Sequence, residues 1–212
     1  MKNRKIELNT DLRAGEILSL VGIIVLAIMI GMILSSQVFT IAGVREVSME
    51  DTLFEGERIF VNKLAYRGGI PERGDVVIFL KSEEINGFFD RCGIALSDMA
   101  RNIGGNERDN RLVKRVIGLP GETIEIKDGK VFINGQELNE PYVKNVTFPN
   151  HLDGPYNIPE DSIFVMGDNR IWSSDSRHFG PVSLKSIEGK ASSVIWPPSE
   201  WIGLDFKYNN ID

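Results

Sequence analysis

The most constraining feature of this chain is an uncharged, strongly apolar run near its N-terminus. Residues 17–44 contain no Asp, Glu, Lys or Arg. At about 1.5 Å of rise per residue, a helix of this length exceeds the roughly 30 Å hydrocarbon thickness of a bilayer. The run therefore predicts one transmembrane helix over residues 17–44, with a tail over residues 1–16 and a folded domain over residues 45–212.

A cleaved secretory signal is the alternative interpretation of this run. Its apolar core would be shorter, about 7–15 residues, and would end at small residues, which Ser35-Ser36-Gln37 only weakly resembles. Basic residues are concentrated before the run, at Lys2, Arg4, Lys5 and Arg13. The positive-inside rule then places the N-terminus in the cytoplasm. We expect a single-pass protein of the cell membrane, in contact with the lipid bilayer, whose domain lies on the outer face.

Composition narrows the classes of function. The formal net charge of −6 argues against nucleic acid as a partner. Cys92 is the only cysteine, so an exported domain has no internal disulfide and depends on its core. His151 and His178 are the only histidines and do not have the spacing of a zinc site. We expect neither a metal nor an organic cofactor, and a monomer.

The domain is predicted to be mainly antiparallel β. Segments rich in β-branched and aromatic residues alternate with turn signals, and the predicted strands are 59–64, 75–80, 112–117, 123–127, 130–134 and 162–166. Asp128-Gly129 suits a type I′ turn and predicts a hairpin. Residues 81–111 form an insertion whose apolar residues recur at three- and four-residue steps. An amphipathic helix and a mobile surface insertion both fit that segment.

Two residues suggest serine chemistry close to a membrane. A serine hydroxyl is a poor nucleophile unless a base takes its proton, and a lysine kept neutral by an apolar setting can be that base. Lys114 lies within the predicted apolar strand 112–117, where burial would lower its pKa from the usual value of about 10.4. Ser48 follows the apolar run by only a few residues.

Four ordered blocks of the sequence resemble type I signal peptidases, the membrane-anchored Ser/Lys proteases that remove signal peptides. The blocks begin at Ser48-Met49-Glu50, Arg73-Gly74-Asp75, Lys114-Arg115-Val116 and Met166-Gly167-Asp168, and the last continues through Ser173 to Arg177. The resemblance covers the apolar run and nearly all of the domain. It implies that the substrates are signal peptides of exported preproteins, cleaved after Ala-x-Ala.

The resemblance also implies roles for individual residues. Ser48 matches the nucleophile, Lys114 the general base, and Ser173 the hydroxyl that orients the lysine. A charged cluster would brace the site, comprising Asp168, Arg170, Asp175 and Arg177. Met49 matches a residue of the small substrate pocket, and the further residues expected to line that pocket are Leu53, Leu112 and Val113.

Two positions depart from the family pattern. Asp51 stands where the family usually has proline, and we expect little harm because Asp is itself a turn residue. Glu46 stands where a serine or glycine is usual. A serine there can donate to the oxyanion, whereas an ionised glutamate only accepts. We therefore expect the oxyanion to be held by the backbone N–H of Ser48, with Glu46 pointing away.

Other interpretations stay open at this point. One is a related Ser/Lys peptidase dedicated to a pilus or conjugation substrate, and another is a non-catalytic assembly module of the same fold. A third is a serine hydrolase in which His178, near Asp175, is the base. The late aromatic cluster of Trp172, Trp196 and Trp201 fits either the lipid headgroup region or ordinary packing.

Overall fold

A long N-terminal helix leads into the domain. The computed structural model describes residues 2–104, 108–200 and 202–204, and within these ranges it leaves the side chains of residues 2–14, 102, 200 and 202 undescribed. Helix α1 (Lys2–Gln37) includes Gly15–Gln37, which is long and apolar enough to cross a membrane. The helix predicted over 17–44 was wrong at its end, because Phe39–Gly43 form a strand instead. This segment is rich in aromatic and β-branched residues, and it pairs along its whole length with Arg58–Asn62.

The described residues form twelve strands and two further α-helices. The strands are β1 (Phe39–Gly43), β2 (Arg58–Asn62), β3 (Val76–Leu80), β4 (Arg111–Gly118), β5 (Thr123–Lys127), β6 (Lys130–Ile133), β7 (Gln136–Glu137), β8 (Tyr156–Asn157), β9 (Ser162–Met166), β10 (Val182–Ser183), β11 (Ile187–Trp196) and β12 (Ile202–Gly203), and the helices are α2 (Phe88–Ile103) and α3 (Ser176–Phe179).

Two antiparallel sheets organise the domain. The larger has the order β1-β2-β11-β3-β4-β9-β10, with β12 paired to β11, and the smaller has the order β7-β6-β5-β8. This architecture confirms the prediction of a mainly antiparallel β domain. The Asp128-Gly129 hairpin is also confirmed: both residues have positive φ, 51° and 80°, as a type I′ turn requires, and they join β5 to β6.

The larger sheet positions two segments that matter for the site. Strand β3 is buried at all five positions, and it supports β4 through an antiparallel register that pairs Val77 with Lys114. Strand β1 is an edge strand of the sheet, at the opposite end from β10. A short 3-10 turn, Val47–Met49, follows β1 and is partly buried. The chain thus brings residue 48 against the middle of β4.

The insertion over residues 81–111 contains helix α2, so the amphipathic-helix interpretation is confirmed. The helix begins beside the end of α1: Gln37 Nε2 donates to the carbonyl oxygen of Phe88 at 3.3 Å, and Ser36 Oγ lies 3.6 Å from Cys92 Sγ. One side of α2 packs against α1, while Phe89, Leu96 and Ile103 expose 85%, 58% and 80% of their surface.

Candidate active site

Ser48 lies in the 3-10 turn after β1, and its side chain is directed toward β4. The residue is 3% exposed. Its carbonyl oxygen accepts a hydrogen bond from the backbone N–H of Asn169 at 3.1 Å, and the Asn169 side chain donates to the carbonyl oxygen of Val47. The segment after β9 therefore holds the turn on its carbonyl side, which limits the positions open to the Ser48 hydroxyl.

Lys114 is fully buried in β4, and its amine contacts the Ser48 hydroxyl. The distance from Nζ to Oγ is 2.7 Å, and Nζ also donates to the carbonyl oxygen of Val113 at 3.0 Å. Burial lowers the pKa of Lys114 below its ordinary value, because desolvation disfavours the ammonium form. A lysine with a lowered pKa, at hydrogen-bond distance from a serine hydroxyl, has the geometry that a general base requires.

Glu46 does not point away from the site, so the expectation from the sequence was wrong. Its carboxylate oxygen Oε2 lies 3.5 Å from both Ser48 Oγ and Lys114 Nζ. The carboxylate stabilises the ammonium form of Lys114 and therefore opposes the effect of burial on the lysine pKa. The Glu46 side chain is 60% exposed, so water screens this attraction.

Asp51 has a backbone conformation that a proline at this position could not adopt. Its φ is +78°, whereas a proline ring holds φ near about −65°. The backbone after Ser48 therefore follows a path that proline cannot adopt. The Asp51 carboxylate accepts a hydrogen bond from Lys144 Nζ at 2.6 Å, which ties this turn to the segment between β7 and β8 of the smaller sheet.

Ser173 is buried near Ser48 and Lys114, at the point where the backbone of Gly167 passes close to both Ser173 and Ser48. A side chain at Gly167 would overlap Ser173 Oγ and the carbonyl oxygen of Ser48, so only glycine fits between them. Ser173 Oγ helps to lower the pKa of Asp175, but among the described residues it has no hydrogen-bond partner of good geometry. Its predicted role in orienting Lys114 stays a prediction, and its hydroxyl is available for that contact.

The predicted charged cluster forms two buried networks, which Tyr142 connects: its ring lies against Arg115, and its hydroxyl donates to Glu140. In the first, Asp168 accepts two hydrogen bonds from Arg115, at 2.8 and 2.7 Å, and a third from Thr52 Oγ1 at 2.5 Å. This network joins the segment after β9 to the strand that carries Lys114. Arg115 was missed as a site residue, although its position directly after Lys114 in the third sequence block was a usable signal.

The second network holds the segment that contains Ser173. Arg177 donates to both carboxylate oxygens of Asp175, at 2.9 and 2.8 Å, and both side chains are fully buried. Burial alone would raise the pKa of Asp175, but the hydrogen bonds and charge of Arg177 outweigh it and hold that pKa below its ordinary value. Arg170 pairs with Glu140 and donates to the Gly167 carbonyl at 3.0 Å. These contacts make the loop after β9 rigid.

A cleft of about 360 Å³ opens beside the dyad. Met49, Leu112 and Val113 line it, as predicted for the substrate pocket. Leu53 is not among the lining residues; it is completely buried in the core cluster beneath Met49. The insertion adds a charged wall that the sequence did not suggest, comprising Asp98, Arg101 and Arg108.

The two histidines contact each other, and the contacts described for them are with residues other than the proposed dyad. His178 stacks edge-on against His151, with ring centroids 5.6 Å apart, and its backbone N–H donates to the carbonyl oxygen of Asp175. Among the contacts described for His178, none is with Ser48. Within the part of the chain that the structure describes, no three His, Cys, Asp or Glu side chains are grouped to hold a metal ion.

The structure describes two of the three tryptophans of the late aromatic cluster. Trp172 is 72% exposed and Trp196 is 55% exposed, so neither is ordinary core. Trp201 lies outside the described residues. Its place in the cluster, and the contact of the cluster with a membrane, stay predictions.

Comparison with known proteins finds one matching family and several relatives described as signal peptidases. A family model described as signal peptidase, peptidase S26, matches residues 17–196. A signal peptidase I from Leptolyngbya laminosa is 38% identical over 150 residues, covering 71% of this chain and 65% of that protein. Signal peptidase I V of Bacillus subtilis strain 168 is 33% identical, covering 80% of this chain and 94% of that protein.

Two further proteins are similar to this chain. Signal peptidase I T of Bacillus subtilis strain 168 is 34% identical over 208 residues and covers 94% of this chain and 92% of that protein. Among solved structures, a signal peptidase I from Enterococcus faecalis V583 is 32% identical, with a TM-score of 0.41, and covers 57% of this chain and 97% of that chain.

Proposed function

The chain belongs to the signal peptidase family, peptidase S26, and is a serine peptidase; we propose that it cleaves N-terminal signal peptides from exported preproteins with a Ser48–Lys114 dyad. The observation that carries this proposal is the 2.7 Å contact between Lys114 Nζ and Ser48 Oγ, at a lysine that is completely buried. A binding module would have no need to bury an amine against a serine hydroxyl, because burial of a charged group is costly.

The reaction follows from the positions of these two groups. Neutral Lys114 takes the Ser48 proton as Oγ attacks the carbonyl carbon of the scissile bond. The lysine ammonium then donates that proton to the leaving amine, the C–N bond breaks, and an ester remains on Ser48. A water molecule, deprotonated by the same amine, attacks the ester; the C–O bond to Ser48 breaks, and the lysine ammonium returns its proton to Ser48 Oγ. The oxyanion of each tetrahedral intermediate is assigned to the backbone N–H of Ser48, since the Glu46 carboxylate can only accept.

The substrate would bind as an extended strand in the cleft. The wall from Ile41 to Glu46 begins on β1, an edge strand, and the opposite wall is Arg111–Val113 of β4. Strand β9 pairs with β4 only from Arg115 onward, so this part of β4 retains an edge for a peptide backbone. Met49, Leu112 and Val113 present apolar side chains to the cleft beside Ser48, which suits an alanine methyl group and supports the proposal of cleavage after Ala-x-Ala.

The membrane anchor completes the proposal. Gly15–Gln37 would span the bilayer with the N-terminus in the cytoplasm and the domain outside. Ser48 follows the end of this helix by one short strand, so the dyad would lie close to the outer membrane surface. Signal peptides become accessible to cleavage on that surface.

The test compares four single variants of the detergent-solubilised full chain on a secretory preprotein. Ser48→Ala and Lys114→Ala should each abolish cleavage, and the double variant should be no worse than either, because the two residues act as one unit. Lys114→Arg should also be inactive, since guanidinium stays protonated and cannot accept the serine proton. His178→Ala should retain most of the activity.

The measurements are the rate of cleavage and the N-terminal sequence of the product. A new N-terminus directly after Ala-x-Ala supports the substrate assignment. Substantial activity in a fully folded Lys114→Arg, together with its loss in His178→Ala, would refute the Ser/Lys dyad. Failure of the wild-type chain to cleave any preprotein would favour a non-catalytic assembly module.

A further inference from the structure

A second cavity, of about 580 Å³, lies between the two long helices. One wall belongs to α1 and is formed by Ile28, Gly31, Met32 and Ser35, and the other belongs to α2 and is formed by Ala95, Met99 and Ile103. We call this space the apolar groove. Apart from Asp98 of α2, its helical walls consist of apolar or small side chains. Thr40, Lys63 and Arg111 also line the space, and Lys63 Nζ lies 4.0 Å from the Glu188 carboxylate. Helix α2 belongs to the insertion over residues 81–111, which supplies neither residue of the proposed dyad.

The apolar groove adjoins the catalytic cleft. Ile41, Asp98 and Arg111 line both spaces. The charges at this junction are paired, because Asp98 accepts hydrogen bonds from Arg111 at 2.5 Å and from Arg108 at 3.1 Å. A ligand that passes from the groove to the cleft would therefore meet satisfied ion pairs and not an isolated charge.

The dimensions fit a short apolar helix. The wall from Ala95 to Ile103 covers about 12 Å of helix at about 1.5 Å per residue. The apolar core of a signal peptide has about 7–15 residues, or about 10–22 Å as a helix. Signal peptides place this apolar core directly before the small residues at which they are cleaved. The groove and the cleft lie side by side in the same order: the groove would hold the apolar core, and the cleft would hold the small residues that follow it.

We propose that the apolar groove is the subsite for the apolar core of the signal peptide, so that α1 and α2 hold that core while the following residues extend past Ser48. The inference rests on the proposed function. It assigns to the insertion a role in substrate recognition. Lipid acyl chains are the competing occupant, and the two occupants give opposite results in the binding experiment below.

The first experiment narrows the groove from each wall. Gly31→Phe and Ala95→Phe each place a ring in the groove, and a Cβ at Gly31 has no heavy atom within 4 Å. Their matched controls, Gly22→Phe and Leu96→Phe, carry the same ring on the same two helices at positions that do not line the groove. Each full-length variant is assayed on an intact preprotein and on a short peptide that contains only the residues around the cleaved bond.

The groove variants should lower kcat/KM for the preprotein by about tenfold or more, mainly through KM, since an apolar contact made only by the long substrate is lost. The short peptide should be cleaved at the wild-type rate, and both controls should match wild type on both substrates. Equal effects on the two substrates, or no effect on either, would overturn the inference while leaving the proposed function intact. If the wild-type chain cleaved neither substrate, that result would instead refute the proposed function.

The second experiment detects the occupant directly and does not depend on turnover. A bimane label is placed at Met99→Cys in a Cys92→Ser, Ser48→Ala chain reconstituted in bilayers of brominated lipid. Binding of an intact preprotein should relieve the quenching of this label. The same label at Leu96→Cys should show no change. Quenching at Met99 that is unaffected by saturating preprotein would identify lipid as the occupant and overturn the inference.

Discussion

At the scale of single residues, Glu46 has the largest influence on the proposed chemistry. Its carboxylate lies 3.5 Å from Lys114 Nζ, whereas the other two carboxylates that raise the pKa of this lysine, Asp175 and Asp168, are held by arginines. Burial and Glu46 therefore act on Lys114 in opposite directions, and the balance between them sets the fraction of enzyme with a neutral base.

The pH dependence of catalysis should report this balance. Activity requires neutral Lys114, so kcat/KM rises as pH increases through the lysine pKa. Glu46→Gln removes an anion that stabilises the ammonium, lowers that pKa further, and should move the acid limb of the profile to lower pH. The measurement is kcat/KM against pH for a short peptide substrate.

Glu55→Gln is the matched control, because Glu55 is exposed and lies outside the cleft. Its acid limb should coincide with that of wild type. An acid limb that moves to higher pH in Glu46→Gln would contradict the assignment of Lys114 as the base whose ammonium Glu46 stabilises.

At the scale of elements, the short helix α3 fixes the loop that follows β9. Asp175 caps this helix by accepting from the backbone N–H of Arg177 at 3.2 Å, and it also accepts from the backbone N–H of Gly167. A single buried carboxylate thus holds the helix, the loop and the glycine beside Ser48. The helix therefore fixes the positions of Ser173 and Gly167 near Ser48.

Asp175→Asn should destabilise the protein by about 3–5 kcal/mol, because it leaves Arg177 buried without its anionic partner. The comparison is Glu137→Gln, which breaks an exposed pair with Lys130 and should cost only about 0–1 kcal/mol. Denaturant unfolding of both variants in the same detergent measures the free energies. Equal values for the two variants would show that the buried pair does not stabilise the loop.

The same carboxylate predicts how stability depends on pH. The pKa of Asp175 is lower in the folded than in the unfolded chain, so its contribution is present above the unfolded pKa and is lost as pH falls through the folded pKa. The free energy of unfolding of Asp175→Asn should consequently decline less than that of wild type at acid pH.

At the scale of the whole molecule, helix α1, the apolar groove and the cleft beside Ser48 follow one another. Helix α1 leads through β1 into the turn that carries Ser48, and α2 returns along α1. Under the proposed function, the orientation in the membrane is decisive, because the proposed dyad must lie on the side where signal peptides emerge.

Protease added to intact, right-side-out membranes should degrade the domain over residues 45–212 and spare an epitope tag at the N-terminus. The expected orientation follows from the basic residues before the apolar run. Membranes permeabilised with detergent provide the control, since the tag should then be digested as well. A tag digested in intact membranes, with the domain protected, would overturn the orientation and the proposed substrates.

Local sequence pattern was sufficient for several parts of this protein. The apolar run predicted the long helix, although it placed the end at residue 44 and not at Gln37; strands β5 and β9 were predicted at their observed bounds, and the Asp128-Gly129 turn predicted a hairpin. These features depend on hydrophobic periodicity and turn chemistry, which act over a few neighbouring residues. The ordered blocks predicted that Ser48 and Lys114 act together, and their side chains lie 2.7 Å apart.

Only the tertiary structure decided the rest. Strand β11, in the middle of the larger sheet, was missed because register shifts against both neighbours interrupt its alternation of side chains. Leu53 proved to be core, and Glu46 proved to face the dyad, since both outcomes depend on which segments pack against the turn at Ser48. Ser48 and Lys114 are 66 positions apart, and no local pattern encodes a distance between side chains that are brought together by a folded sheet.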